Sequence, residues 1–461
     1  MADSVLQLSK LISDNSSHLV SICSGRGFTI PHLNDQYTED SENFRKNTQC
    51  AETASIIVAA ALQLVATLSP PQQSSFAIFG GHYKSASVRI ALDCNVPEIL
   101  REAGDKGLHA DEIAAKSGVD GKLLARHLRF LSNYHTFREI SPNVFANTRL
   151  SSVLDSGKSV DDIIANPHTK HDDTPGFVAI AEQVTGDLHK STGYALEAMK
   201  DASSGLSPFQ RAYNEPLPYY KWLETPENAY RFHRFGIMMR GFGAMQPPDA
   251  IEKAYPWNSL PQNSVVVDVG GGIGTLAISI ARAYSHLKVV VQDTEAVVEE
   301  GETICKDVFP AGLTSGNLSF EAHDFFSPNP IKNASVYILK NILHNWPDAL
   351  ALDILRQLRV SATPETKLIV IGTIIGYTCR DYGKGIENVY KDAPEPLLPN
   401  YGAANDIGYV MDVTMSALFN AKEFTIGDLK ALLEVTGWKV VRVQRSAPPH
   451  NFFDPVIAVP V

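Results

Sequence analysis

Cysteine is scarce in this chain: the 461 residues contain five, Cys23, Cys50, Cys94, Cys305 and Cys379. Their number is odd and none stands at zinc-site spacing. Neither a disulfide framework nor a metal site is expected, and a reducing, cytoplasmic setting fits best. Positive charge is short as well. Against 51 Asp and Glu there are 40 Lys and Arg, a net charge of -11. That balance argues against nucleic acid or an anionic membrane as a partner. Long apolar runs are missing too. Ile56 to Leu68 is apolar but stops at Ser69-Pro70-Pro71, short of the roughly 20 residues a spanning helix needs. The amino terminus has no basic start followed by an apolar core, so no signal peptide is expected.

What is present is a chain long enough for two or three domains with ample core. Its most informative segment is Val267-Asp268-Val269-Gly270-Gly271-Gly272-Ile273-Gly274-Thr275-Leu276-Ala277. An apolar run ends in an acid, a glycine turn follows, and a helix-like stretch continues to Tyr284. Strand, turn, helix is the order that opens a nucleotide site in a doubly wound sheet. The spacing of Gly270, Gly272 and Gly274 is G-x-G-x-G, with Asp268 two residues before the first. A carboxylate beside that turn would repel a pyrophosphate, whereas it could hold the amino group of an amino-acid-like ligand. A second apolar strand, Lys288 to Val291, ends in Gln292-Asp293, where an acid can accept both hydroxyls of a ribose. S-adenosylmethionine (SAM) has an amino group, a ribose diol and no phosphate, and it is the cofactor these residues predict.

The rest of the chain divides by pattern. Residues 1–80 read as a helical extension, two helices joined by a polar linker near Asn34 to Asn47. Residues 81–160 read as a winged helix. A short helix begins at Asp111, a second carries Leu123, Leu124, Leu128 and Leu131 on its inner face, and a hairpin runs from Thr136 to Thr148. The DNA-binding reading of that module, and with it a transcriptional regulator, sits badly with an acidic chain. A dimerisation and substrate-covering role is preferred, which implies a homodimer. Residues 161–255 read as largely helical, with a Met and aromatic stripe that includes Phe232 and Met238. Such a stripe serves core or pocket. Residues 256–461 read as the α/β domain. Its strand candidates are Val265–Val267, Val289–Val291, Leu318–Glu321, Val336–Leu339, Leu368–Ile371, Val440–Val443 and Val456–Val459. A Pro/Gly-rich stretch lies between Tyr377 and Tyr409, of a length usual for lids or disordered segments. His168-x-x-His171-Asp172 is expected to be a polar surface loop.

After the fourth strand comes Lys340-Asn341-Ile342-Leu343-His344-Asn345-Trp346-Pro347-Asp348. Ligands of open α/β sheets bind beyond the carboxyl ends of the strands, so His344 should face the crevice. Its imidazole can take a proton near neutral pH. Together with the glycine turn, the Leu343-His344-x-Trp346 element resembles the plant-type SAM-dependent O-methyltransferases, in the form common among fungal secondary-metabolism enzymes. The resemblance spans roughly residues 85 to 461. It implies a Rossmann-like SAM-binding domain preceded by a helical and winged-helix dimerisation region. It also implies that Asp268, Gly270, Gly272, Asp293, Asp324, Phe325 and Lys340 hold the cofactor, that His344 removes a hydroxyl proton, and that Glu423 fixes His344. Met411 and Met415 would shape the substrate pocket.

Two positions depart from the family pattern. Asn345 replaces the usual Asp after the histidine, and the fifth strand ends in Gly372 where the family has an acid. Losing an orienting acid can cost on the order of 10⁴ in rate where the base is essential. A transferase driven mainly by alignment would tolerate that loss. The expected activity is therefore O-methylation of a phenol or enol on an aromatic or polyketide-like metabolite. The alternative is a pericyclase of the same fold that binds SAM without transferring its methyl group.

Overall fold

The structure is a computed structural model that describes residues 2–246, 250–380, 392–444 and 453–461. The chain falls into two compact units, residues 1–245 and 246–461.

The first unit is mostly helical. Helices Ala2–Arg26 and Thr48–Leu68 pack on each other, and a short 3-10 turn at Glu39–Lys46 lies in the polar segment between them. Asn47 starts the second helix by accepting the Cys50 N–H at 3.1 Å. Cys50 and Ala54 pack against Leu19, Cys23 and Phe44. The helix Thr48–Leu68 has 21 residues and is long and apolar enough, by those criteria alone, to cross a membrane. Counting from Ile56 missed this, because the helix reaches back to Thr48 through a segment in which Glu52 is the one charged residue.

The winged-helix expectation matches what is observed. Helices Ala110–Ser117 and Gly121–Ser132 lie in the chain between β1 (Leu108–His109) and the hairpin of β2 (Phe137–Ser141) and β3 (Val144–Asn147), which form one sheet in the order β1-β3-β2. Asn143 takes a φ of +62° at the hairpin turn, a conformation Asn tolerates better than most residues. Leu124, Leu128 and Leu131 are buried as expected, but Leu123 is 55% exposed. It sits in the first turn, where Asp120 caps the helix through the Leu123 N–H, and points away from the core. The segment expected as a polar surface loop at His168–Asp172 is also different: His171 is 1% exposed. Its Nε2 lies 3.0 Å from Glu182, which Lys170 and Arg234 also approach. Buried charge of this kind persists where opposite charges surround it. Helix Ala229–Ala244 carries Arg234 and Met238 inward.

The second unit is a seven-stranded sheet flanked by helices. Its strands are β4 (Val265–Val269), β5 (Lys288–Asp293), β6 (Leu318–Ala322), β7 (Ala334–Lys340), β8 (Lys367–Gly372), β11 (Trp438–Val443) and β12 (Asp454–Pro460). Two short strands, β9 (Ile374–Ile375) and β10 (Phe424–Thr425), pair separately. All seven expected strands are there. The order is β11-β12-β8-β7-β4-β5-β6, parallel except for β12. The central strands are apolar on both faces because helices cover both, which is why they read as continuous Val/Ile runs. One core holds Val267, Leu339, Leu368 and Val456; the other holds Val266, Ile338, Ile369 and Ile457. The strand order reverses between β4 and β7. In such sheets a ligand crevice forms beyond the strand ends at that reversal.

Of the stretch between Tyr377 and Tyr409, residues 381–391 lie outside the described residues. The remainder includes a 3-10 turn at Gly402–Asn405 and the start of helix Ile407–Phe419.

Candidate active site

β4 delivers its carboxyl end directly into the glycine turn. Gly270, Gly272 and Gly274 all have positive φ, +69°, +59° and +84°, which side-chain-bearing residues adopt only at a cost. The Gly270 and Gly271 N–H groups both donate to the Gln292 carbonyl, at 2.8 and 3.1 Å. A Cβ on Gly270 would lie 2.5 Å from Ile342, whereas one on Gly272 would meet nothing within 4 Å. The turn is therefore closed on the Ile342 side and open over Gly272, where a ligand can reach the backbone. Helix Thr275–Ala283 continues from it.

Asp293 ends β5 within reach of this turn. Its Oδ2 accepts the Gly272 N–H at 2.9 Å and its Oδ1 accepts the Thr294 N–H at 2.8 Å. Each carboxylate oxygen has a second lone pair, so the anchored group can still accept from a diol. Asp268 is 1% exposed. It accepts the backbone N–H of Ala277, yet its Oδ2 has no partner among the described residues. Burial pushes its carboxyl up to about 7; nearby Lys340 opposes this and Asp293 adds to it. Burial also lowers Lys340, against the pull of Asp268. Both directions have one cause, the cost of charge in a poorly solvated place.

On the closed side of the turn with Ile342, Phe325 lies 3.6 Å from a Cβ built on Gly270 and stacks edge-on against Trp346, ring centroids 5.8 Å apart. Asp324 is exposed and holds the Phe326 N–H at 3.0 Å.

His344 sits in a 3-10 turn, Leu343–Asn345, just beyond the end of β7. Leu343 anchors that turn in the core, and Asn345 steadies it by donating to the Asn341 carbonyl at 3.0 Å. The ring Nδ1 is 2.8 Å from Glu423 Oε1. Glu423 is 3% exposed and precedes β10, which pairs in parallel with β9. With Nδ1–H donated to the carboxylate, a neutral ring presents its Nε2 lone pair outward. That is the tautomer a proton acceptor needs.

Gly372 ends β8 with no acid to offer, as its sequence requires. Directly across the ladder is Asp454, fully buried and paired with Gly372 in the antiparallel register. Residues so paired point to the same face of a sheet. Sequence reasoning missed Asp454, because nothing in Phe453-Asp454-Pro455 announces a strand start opposite position 372. Asp412 was missed as well; its Oδ1 accepts the Glu423 backbone N–H at 2.9 Å. Ile342, the wall of the glycine turn, had no signal beyond its place in the histidine segment.

Among the proposed pocket residues, Met415 is buried and Met411 half-buried on helix Ile407–Phe419. In the first unit Met238 packs with Ala179, Ile180 and Ile237, while Phe232 is 54% exposed. Among the described residues no group of three or more His, Cys, Asp and Glu is placed to hold a metal.

A glycine turn open over Gly272, an anchored acid at the next strand end and a histidine–glutamate pair beyond the sheet together form a site suited to a nucleoside ligand such as SAM. Comparison with known proteins agrees. An O-methyltransferase domain model matches residues 209–386, and an O-methyltransferase dimerisation domain model matches residues 76–156. The chain is 38% identical to 4-O-methyltransferase 1 of Phanerochaete chrysosporium over 100% of both chains. It is 30% identical to 3-O-methyltransferase 2 of the same fungus, over 95% of this chain and 94% of that one. This chain belongs to the O-methyltransferase family, and its cofactor is SAM. Solved structures share the fold. The mitomycin 7-O-methyltransferase MmcR matches with a TM-score of 0.61 at 21% identity, over 85% of this chain and 98% of that one. LepI in complex with SAM matches with a TM-score of 0.64 at 16% identity, over 98% and 100%.

The residues present suit SAM. The unpartnered oxygen of buried Asp268 is a ready acceptor for an ammonium, and the open face over Gly272 admits a ribose beside Asp293.

Proposed function

We propose that this enzyme transfers a methyl group to a phenol or enol hydroxyl of an aromatic or polyketide-like small molecule, with His344 as the base. The observation that carries this reading is the 2.8 Å contact between His344 Nδ1 and the buried Glu423 carboxylate. Glu423 orients the ring and stabilises the imidazolium formed as Nε2 takes the hydroxyl proton. SAM, when bound, supplies an electrophilic methyl on a sulfonium. Asp268, Gly270, Gly272, Asp293, Asp324, Phe325 and Lys340 are the residues proposed to hold it. Asp293 would take the ribose diol, Asp268 the amine, and Asp324 with Phe325 the adenine, while Lys340 would lie along the cofactor. Met411 and Met415 are proposed to shape the substrate pocket. Alignment of oxygen with methyl carbon then supplies much of the rate, and a single supporting acid suffices. The 4-O- and 3-O-methyltransferases of Phanerochaete chrysosporium named above are similar over 94% or more of their length, which favours a hydroxyl oxygen as the methyl acceptor.

Val65, Leu68, Phe76, Ile78 and Phe79 are exposed apolar residues close together in the sequence, and clustered exposed apolar side chains mark interaction surfaces. A homodimer through this region is proposed, in a cytosolic setting compatible with five free cysteines. Light scattering of the full chain measures it.

A second reading has one observation in its favour. Gly372 brings no carboxylate to the end of β8, so the site is less basic than its family pattern, and a pericyclase needs no strong base. One assay separates the two. Purified enzyme is incubated with SAM and a panel of simple aromatic and polyketide-like phenols and enols, and the products are weighed. A gain of one methyl, with S-adenosylhomocysteine formed and lost on His344→Ala, supports transfer. An isomerised or dehydrated product with SAM unconsumed overturns it.

A further inference from the structure

Glu423 acts only if its carboxylate stays on His344, and its hydrogen-bond partner among the described residues is that ring. What holds Glu423 is therefore its backbone. Helix Ile407–Phe419 ends at Asn420, which turns left-handed at φ +53°. Four residues later β10 begins its two-residue pairing with β9. Glu423 falls between these anchors, and no strand partner takes its N–H. Asp412, two turns back on the helix, reaches across and accepts that N–H at 2.9 Å. On the other side, Lys422 is tied to Asp348 at 2.9 Å.

We infer that Asp412 is a positioning residue for the proton transfer: its Oδ1 clamps the Glu423 backbone and so keeps the Glu423 carboxylate on His344 Nδ1. The inference rests on His344 being the base. Groups that support a catalytic pair from behind are worth about 10- to 100-fold when removed. Removal leaves the chain between Asn420 and Phe424 free to swing the carboxylate off the ring. The effect should appear in turnover and not in cofactor binding, since Asp412 lies on the histidine side of the site, away from the glycine turn.

The test is a double-mutant cycle on the full chain, with kcat for the methylated phenol and calorimetric affinity for S-adenosylhomocysteine. Asp412→Ala should lower kcat about 10- to 100-fold with affinity within about twofold. In a Glu423→Gln background the same change should cost less than about threefold, because the charge that the clamp positions is gone. Asp412→Asn keeps an acceptor oxygen and should restore kcat to within about threefold of wild type. Where the Ala variant fails to bind the nucleoside, the Asn variant carries the test. Three results overturn the inference: a kcat for Asp412→Ala within twofold of wild type, a loss that adds fully to that of Glu423→Gln, or a folded Asn variant slowed more than tenfold. His344→Ala is measured alongside. If it keeps wild-type turnover, the base assignment itself fails, whatever Asp412 does.

Discussion

Replacing Glu423 by Gln removes a charge while leaving the shape and one acceptor oxygen in place. In the resting enzyme little should change, because a neutral ring can still donate Nδ1–H to the Gln carbonyl oxygen. The loss falls on the state in which His344 has taken the substrate proton and carries positive charge. Two unit charges about 4 Å apart interact by about 4 kcal/mol at an effective dielectric of 20. The glutamate is buried, but the ring is 17% exposed, so solvent screens part of that energy. A loss of about 2 to 4 kcal/mol corresponds to about 30- to 1000-fold in kcat. Affinity for S-adenosylhomocysteine should stay within about twofold. The deficit should also depend on pH. A phenol ionises near pH 10, so raising the pH delivers more substrate already deprotonated and needs the base less. Measured from pH 7 to pH 9.5, the ratio of wild-type to variant turnover should shrink. A variant within threefold of wild type at pH 7, with nucleoside binding intact, refutes the role given to Glu423. A ratio that does not move with pH would refute its link to proton removal.

Asp268 gives a stability prediction. Its folded carboxyl is pushed up to about 7 by burial, so between about pH 4 and 7 the native state holds a proton that the unfolded chain has released. Stability from this group therefore falls as pH rises through that window. Asp268→Asn should flatten the slope of apo thermal stability between pH 5 and pH 8, and an unchanged slope would count against the buried acid. Glu182 runs the other way. Burial alone would raise it, but His171, Lys170 and Arg234 hold it down at about 2. Its contribution is present above about pH 4.3 and lost as pH falls towards 2. Glu182→Gln leaves those cations without their counter-charge and should cost about 3 kcal/mol or more in urea unfolding at pH 7, and much less at pH 3. Gly372→Asp should not improve the enzyme. A Cβ there meets only Asn341 Oδ1 at 3.6 Å, but the new carboxylate would stand directly across from buried Asp454. Like charges so placed cost about 1 kcal/mol. Lower stability with no gain in methylation is expected, and a several-fold gain would show that a missing acid limits the site.

The glycine turn, the seven strands and the winged helix were legible because each rests on local rules. Positive φ demands Gly at three spaced positions, a two-sided core demands continuous apolar strands, and a helix demands its apolar period. By the same local logic His344 and Asp293 could be placed at strand ends. Where local rules failed, the cause was position in space. Leu123 was grouped with the inner face, yet it lies one helical step round from the buried Leu124, on the side turned away from the core. His171 carries a polar side chain in a polar segment, and only the convergence of its neighbour Lys170 with Glu182 and Arg234 from two helices makes its burial tolerable. The identities of Gly372 and Asn345 were plain in the sequence, but their consequence was not. Register across an antiparallel ladder put Asp454 opposite the glycine, and a helix cap followed by a two-residue strand put Glu423 between Asp412 and His344. Sequence fixes which groups a chain owns and the local shapes they favour. Contacts between residues 11 to 82 positions apart depend on how whole elements pack, and only the folded chain determines those distances.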